Sequence, residues 1–360
     1  MSLDLSFLAR ITYAQVTLEF EVERTIRIPG FAGSSFRGAL GDVFRRTLCA
    51  HRPSCQNDCA SPETCSYYAL FERSRDAAGG NVPKAMILEP PVPPGLDAIA
   101  QGAVPTPPYE EAPAQHYSEV SQLVNPQVME LPPGCRLPLL ATFLGPVAVL
   151  AQGAVQALAA EPFPAMGGRL RLVRALDGST PGRILFDEDS PHYAVQSPSL
   201  RNLDCGVPQG FDGTMRIVLT TPTRLVIHRQ LCLRPREIGA SFLRHCLVRA
   251  MKVHNAFGPP GRQRVPWMDL PEPLPQPVSE RLYHYRLPRL SHRQQAWVEF
   301  DGMLGYFDLE GRWTADLLRL LRAAEILHVA EKATSGLGRV RCFELTEAHG
   351  GLRKSAMERH

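Results

Sequence analysis

Residues 134–176, GCRLPLLATFLGPVAVLAQGAVQALAAEPFPAMGGRLRLVRAL, decide the fold. The run at 134–145 reads as a strand and 146–160 as a helix with Pro146 in its first turn, where a missing N–H costs nothing; GGRLRLVRAL reads as a second strand after a glycine turn. The same succession returns later in the chain, with WTADLLRLLRAAEILHV (313–329) as helix and KATSGLGRVRCFELT (332–346) as glycine turn and alternating strand. Gly167 and Gly168, like Gly336 and Gly338, permit φ > 0 and close approach of a partner. Arg169 and Arg171, or Arg339 and Arg341, place positive charge beside them, a combination suited to a phosphodiester chain.

Working outward, ITYAQVTLEFEVE (11–23) alternates as a strand, SSFRGALGDVFRRTLCA (34–50) reads as a helix capped by Ser34 or Ser35, and KAMILE (84–89) as a short strand. The second half repeats this order with 213–230 as strand or hairpin, 236–257 as helix, and strands near 281–290 and 296–309. The expected fold is therefore α+β, two tandem ferredoxin-like (RRM-like) βαββαβ units. The first occupies 1–176, with a cysteine lobe at 49–65 and a proline-rich insertion at 90–113; a linker spans 177–212, the second unit 213–350, and a tail 351–360. A length of 360 residues agrees with two domains of about 150 residues each.

Net charge is only +3, so clustering rather than composition must identify an anionic partner. No apolar stretch approaches the roughly 18 residues of a membrane span, and the first twenty residues, with Asp4 and early polar breaks, do not read as an export signal. Nine cysteines, an odd number, favour free thiols and metal ligands in a reducing compartment, and the expected location is cytoplasmic.

Residues 281–293, RLYHYRLPRLSHR, hold Arg281, Arg286, Arg289 and Arg293 with His284, His292, Tyr283 and Tyr285, and no acid. Guanidinium groups meet phosphates and tyrosines offer stacking planes to unpaired bases, so this reads as an RNA surface; the alternative is a solvated edge strand. On the helix at 236–257, Arg244, His245, Arg249 and Lys252 share one arc opposite an apolar face. Such an arc is either a plain solvated face or part of the same surface. Arg37 falls within the apolar arc of the first helix, to bond carbonyls or to reach a phosphate between the domains, whereas Arg45 and Arg46 lie off it. Cys49, Cys55, Cys59 and Cys65, spaced C-x5-C-x3-C-x5-C, suit one tetrahedral thiolate site. Zinc is the conservative occupant, an Fe–S cluster the alternative, and a site using all four ligands would be structural.

IPGFAGSSFRGALGDVFRRTLC with the spaced cysteines and CSYYALFE (65–72), RLSHRQQAWVEFDGMLGYFDLEG (289–311) and LLRAAEILHVAEKATSGLGRVRCF (320–343) together resemble the CRISPR-associated RAMP endoribonucleases that process precursor crRNA. The chain departs from that pattern at Ala330 and Ser335, where the family tends to have a glycine and an aromatic. The resemblance implies a metal-independent cleavage within the repeat: the RNA 2′-hydroxyl attacks the adjacent phosphodiester, leaving a 2′,3′-cyclic phosphate and a 5′-hydroxyl. It also implies CRISPR repeat RNA as partner, and effector-complex subunits as further ones. Many members carry a base histidine on the first helix, but 34–50 contains none. His51, directly after it, is the leading base, with Tyr67 or Tyr68 as helpers, Arg37, Arg45 or Lys332 as charge stabilisers, and His328 and His292 in reserve. The rival reading is a non-catalytic crRNA-binding subunit of the same superfamily. A zinc hydrolase is disfavoured because four thiolates leave no position for water.

Overall fold

The computed structural model describes residues 3–28, 31–49, 59, 61–73, 82–91, 129–190, 194–204, 206, 209–227, 230–231, 235–258, 264–285, 288–291, 296–299, 302–329, 332–345 and 352–354. The proline-rich stretch from 92 onward lies outside them.

Alternation along Thr12–Arg24 (β1) turns Val16, Leu18, Phe20 and Val22 inward and Gln15, Thr17, Glu19 and Glu21 to the other face. Each of those four inward side chains contributes roughly 1.5–3 kcal/mol of burial. β1 lies between Arg136–Leu144 (β3) and Gly168–Asp177 (β5); β3 continues to the edge strand Met86–Glu89 (β2), and β5 to Phe163–Ala165 (β4). The order β2-β3-β1-β5-β4 is antiparallel throughout. Helix α1 (Gly33–Leu48) buries Phe36, Leu40, Val43 and Phe44. The expected helix at 146–160 is divided into a 3-10 turn over Gly145–Leu150 and helix α2 (Ala151–Ala159). Gly145, which opens the turn, takes φ 62° and packs so tightly on Phe257 that a Cβ would lie 2.5 Å from its backbone oxygen.

The second half repeats the path. Phe211–Thr223 (β6), Gln276–Tyr285 (β7), Gly302–Trp313 (β8), Val340–Leu345 (β9) and Leu352–Lys354 (β10) pair antiparallel in the order β7-β8-β6-β9-β10. Helix α3 (Pro235–Phe257) and helix α4 (Ala315–Leu327) complete it; Thr314 caps α4 by accepting the Leu317 N–H. Two expectations shift here. The basic stretch is not one strand: it runs off the end of β7 into a separate hairpin, Pro288–Ser291 with Ala296–Glu299. The last strand begins only at Val340, leaving 332–339 as a loop.

The chain is thus a mixed α/β protein, with two large antiparallel sheets and three two-stranded ribbons among the described residues. The joining segment adds Ile184–Asp187 to β5 and Arg201–Asn202 to β1. Buried side chains of both halves belong to one continuous apolar cluster, and Phe7 meets His254 of α3 edge-on at 5.4 Å. Among the described residues no helix is long and apolar enough to cross a membrane.

Candidate functional site

Arg37, Arg45 and Tyr67, three of the expected catalytic residues, come together where α1 meets the helical turn Tyr68–Glu72. The Arg37 guanidinium lies 4.6 Å over the Phe71 ring, and Tyr67 stacks on the same ring, with centroids 5.7 Å apart and planes 10° from parallel. The Tyr67 hydroxyl donates to Glu72 Oε1 at 2.9 Å. Burial, reinforced by the Glu72 carboxylate, raises the Tyr67 phenol well above its ordinary value, so it stays protonated and acts as a donor. Arg45 is half exposed, its carboxylate neighbour Asp42 a loose 3.7 Å away, and it too acts on the Tyr67 charge. His51 lies outside the described residues. Glu72 was not singled out by sequence reasoning, although it ends the CSYYALFE block.

Arg37 does bond carbonyls. Its Nη1 donates to Met86 O of β2 at 3.1 Å and to Thr334 O at 3.4 Å, one acceptor from each half of the chain. Burial lowers its guanidinium to about 10, which leaves it charged at neutral pH. Its Nη2 is closed to solvent with no hydrogen-bond partner among the described residues.

The loop that supplies Thr334 is the glycine turn, and the structure makes it a joint between the halves. Gly336 at φ 83° and Gly338 at φ 72° both use the left-handed region. A Cβ on Gly336 would come 2.5 Å from Leu88 O of β2, one on Gly338 would overlap Val329 O, and one on Gly33 of α1 would overlap Ser335 O. Thr221 Oγ1 donates to Gly336 O and accepts the Arg339 N–H, tying the loop to β6. Lys332, at φ 58°, opens the loop and is half-buried.

Both ends of this loop converge on one carboxylate. Glu89, the last residue of β2 and 5% exposed, receives Arg339 Nε at 2.7 Å on Oε2 and stands 3.0 Å from His328 Nε2 through Oε1. His328, fully buried at φ 57°, sits 3.1 Å from Leu337 O through Nδ1. A carbonyl oxygen only accepts, so Nδ1 carries a proton. Burial alone pushes the Glu89 carboxyl up, but His328, Arg339 and Arg341 overcome it and hold it down at about 2. Glu89 is therefore a carboxylate, set between His328 Nε2 and Arg339 Nε. The sequence offers His328 as a reserve candidate for the base and for RNA contact; its burial assigns it to this joint. Glu89 went unnoticed, though a carboxylate closing the apolar strand MIL requires a buried partner.

The other candidates divide by burial. Tyr283 and Tyr285 are 1% and 0% exposed and offer no stacking plane on the chain's surface, because the strand that carries them is interior at this end. Arg281 is half-buried opposite Tyr306; Arg289 lies in the Pro288–Ser291 strand; Arg286, His292 and Arg293 lie outside the described residues. The arc on α3 splits. Arg244 and Lys252 are exposed, whereas Arg249 turns inward to donate from Nε to Leu327 O, with burial lowering it to about 10, and His245 bonds Ser241 O. The carbonyls at the end of α4 attract the guanidinium, which a helical wheel of α3 alone does not register.

Of the four cysteines, Cys49, Cys59 and Cys65 share a small cluster with Tyr67 and Tyr68, and the Tyr68 N–H donates to Cys65 Sγ at 3.5 Å. Cys55 lies outside the described residues. Among the described residues no group of three or more His, Cys, Asp or Glu is arranged to hold a metal.

The family model described as CRISPR-associated endoribonuclease Cas6 matches residues 217–340, from β6 to the first residue of β9, and an N-terminal domain model matches residues 10–106. An uncharacterized protein of Archaeoglobus fulgidus is 34% identical over 89 residues, 24% of this chain and 29% of that relative, so the match spans under a third of the relative's length. Among solved structures, a partial Cas6-RT-Cas1–Cas2 complex aligns with 96% of this chain and 49% of its own at a TM-score of 0.50 and 11% identity. Cas6 of Thermus thermophilus aligns with 92% and 98% at a TM-score of 0.46 and 16% identity.

Proposed function

We propose that this chain, whose residues 217–340 match the CRISPR-associated endoribonuclease model, is a RAMP-type endoribonuclease that cuts precursor crRNA within the repeat. The observation that carries the reading is the gathering of Arg37, Arg45 and Tyr67 around Phe71 and Glu72 beside the first helix, which His51 follows in the sequence. The reaction is 2′-hydroxyl attack on the adjacent phosphodiester, giving a 2′,3′-cyclic phosphate and a 5′-hydroxyl. His51 takes the 2′-hydroxyl proton. Tyr67, kept protonated by its surroundings, donates toward the leaving 5′-oxygen, and the exposed Arg45 balances charge on the crowded phosphate. Arg244, Lys252, Arg281 and Lys332 contribute cationic surface along the RNA. The two large sheets, whose four central strands follow one order in each half (β2-β3-β1-β5 and β7-β8-β6-β9), support reading the architecture as tandem ferredoxin-like units.

We propose further that the four-cysteine lobe holds a structural zinc or an Fe–S cluster, with no part in the chemistry. The gathering of Cys49, Cys59 and Cys65 supports this, and metal emission with visible absorbance on the purified protein tests it. The protein is proposed to act in the cytoplasm and to hand its product to effector-complex subunits.

The purified protein, mixed with its own repeat RNA in EDTA, is expected to give a single cut with a 2′,3′-cyclic phosphate end. His51→Ala and Tyr67→Phe should each slow it by about 100-fold. A second reading, a non-catalytic crRNA-binding subunit, is favoured by the burial of His328, which removes one family-typical histidine from contact with RNA. Tight binding with no cut product in that experiment would establish it.

A further inference from the structure

We infer that Glu89 and His328 are positioning residues: they clamp the glycine loop of the second half against β2, and through Arg37 they set the pose of Tyr67 in the first half. The inference rests on the proposed site at α1.

The clamp is built from both ends of the loop. His328 precedes the loop and Arg339 follows it, and both reach the same carboxylate, Glu89, at 3.0 and 2.7 Å. Between them, Gly336 lies against Leu88 O and Thr334 O accepts from Arg37 Nη1. Arg37 Nη1 takes its other acceptor, Met86 O, from the strand that ends in Glu89. One donor atom therefore spans two carbonyls that are brought together only when the loop sits on β2. The guanidinium then covers Phe71 at 4.6 Å, and Tyr67 stacks on Phe71 at 5.7 Å. Sequence neighbours do not supply this path: His328 and Glu89 are 239 residues apart, and Arg37 and Thr334 are 297 apart. His328 is fully buried and cannot touch RNA, so its influence on cleavage has to run through these contacts.

A displacement of about 1 Å at a reacting group costs on the order of 100-fold in rate, and groups coupled by direct contact behave non-additively. Single-turnover cleavage of the repeat RNA, equilibrium RNA affinity, and amide hydrogen exchange at Gly336 and Gly338 are measured for the parent, Glu89→Gln, His328→Gln, Arg37→Lys and the Arg37→Lys/Glu89→Gln pair. Glu89→Gln and His328→Gln are expected to slow cleavage about tenfold, to change affinity by less than about threefold, and to speed exchange at both glycines. Adding Glu89→Gln to Arg37→Lys should cost nothing further. Losses that multiply in the double variant, a rate loss matched by an equal affinity loss, or unchanged glycine exchange would each overturn the inference. If the parent cuts no RNA, the proposed function falls, and the clamp is decided by exchange alone: faster exchange in Glu89→Gln upholds it, and unchanged exchange removes it. His328→Gln keeps a donor for Glu89 and serves where Glu89→Gln does not fold.

Discussion

The two glycine turns share a sequence design and differ in what they join. At 166–168, Met166 with φ 48° and Gly167 with φ 81° close a hairpin between neighbouring strands β4 and β5; nothing lies within 4 Å of a Cβ built on Gly167, and the backbone against which Gly168 is pressed, Arg24 O and Thr25 O, belongs to the same half. At 332–339, every glycine is pressed against backbone, and one contact belongs to the other half of the chain. The arginines follow the same division. Arg171 is held by Glu21, Glu23 and Glu188, and Arg169 by Glu23, all within the first half. Arg339 is held by Glu89 from across the joint. A glycine turn followed by Arg-x-Arg thus states the local backbone need but not the partner. In the first copy the charge is spent within one sheet, and in the second it fastens two sheets together.

The largest effect should separate the turns directly. Gly338→Ala, with left-handed strain and overlap on Val329 O, is expected to lower stability by about 4 kcal/mol, whereas Gly167→Ala, with strain alone, should cost about 1 kcal/mol. Denaturant midpoints at constant m-value measure both, and equal losses would erase the distinction. Next, Arg45→Ala at the α1 site should reduce single-turnover cleavage by about 100-fold, and an unchanged rate would move the phosphate contact elsewhere. The joint should also be acid-sensitive. Glu89 is depressed from its ordinary 4.5 to about 2, so its contribution is complete above pH 4.5 and is lost as pH falls toward 2. The stability gap between the parent and Glu89→Gln, followed by thermal melting, should shrink across that window; a constant gap would mean that the carboxylate carries no such role. The smallest effect belongs to the first turn. Arg171→Met should change RNA affinity by less than about twofold because its charge is already neutralised, against about threefold for the exposed Lys252→Ala, both in filter binding near 150 mM salt.

The elements were largely legible because they are local. The alternation of β1 and the apolar stripe of α1 report their own burial, and β1 and α3 fall within a residue or two of their sequence-based bounds. What the sequence concealed is non-local. The inward turn of Arg249 depends on the end of α4, and the burial of Tyr283 and Tyr285 on the packing around β7. The buried seat of His328 depends on one carboxylate far away along the chain. The gathering of Arg37 with Tyr67 was foreseen only as a set of residue types, since neither the Phe71 ring between them nor Glu72 carries a periodic signal.

The 239-residue interval between Glu89 and His328 also fixes an order of events during synthesis. A ribosome adding about 5–20 residues per second exposes Glu89 roughly 10–50 s before its histidine partner emerges. For that time β2 can pair with β3, since its partner in the sheet is made much sooner, but its last carboxylate must remain in water. The seating of α1 against the loop is likewise deferred, because Arg37 lacks its second carbonyl until Thr334 is made. The candidate catalytic face is translated early and assembled late, so an unfinished chain carries Tyr67 without the support that aims it.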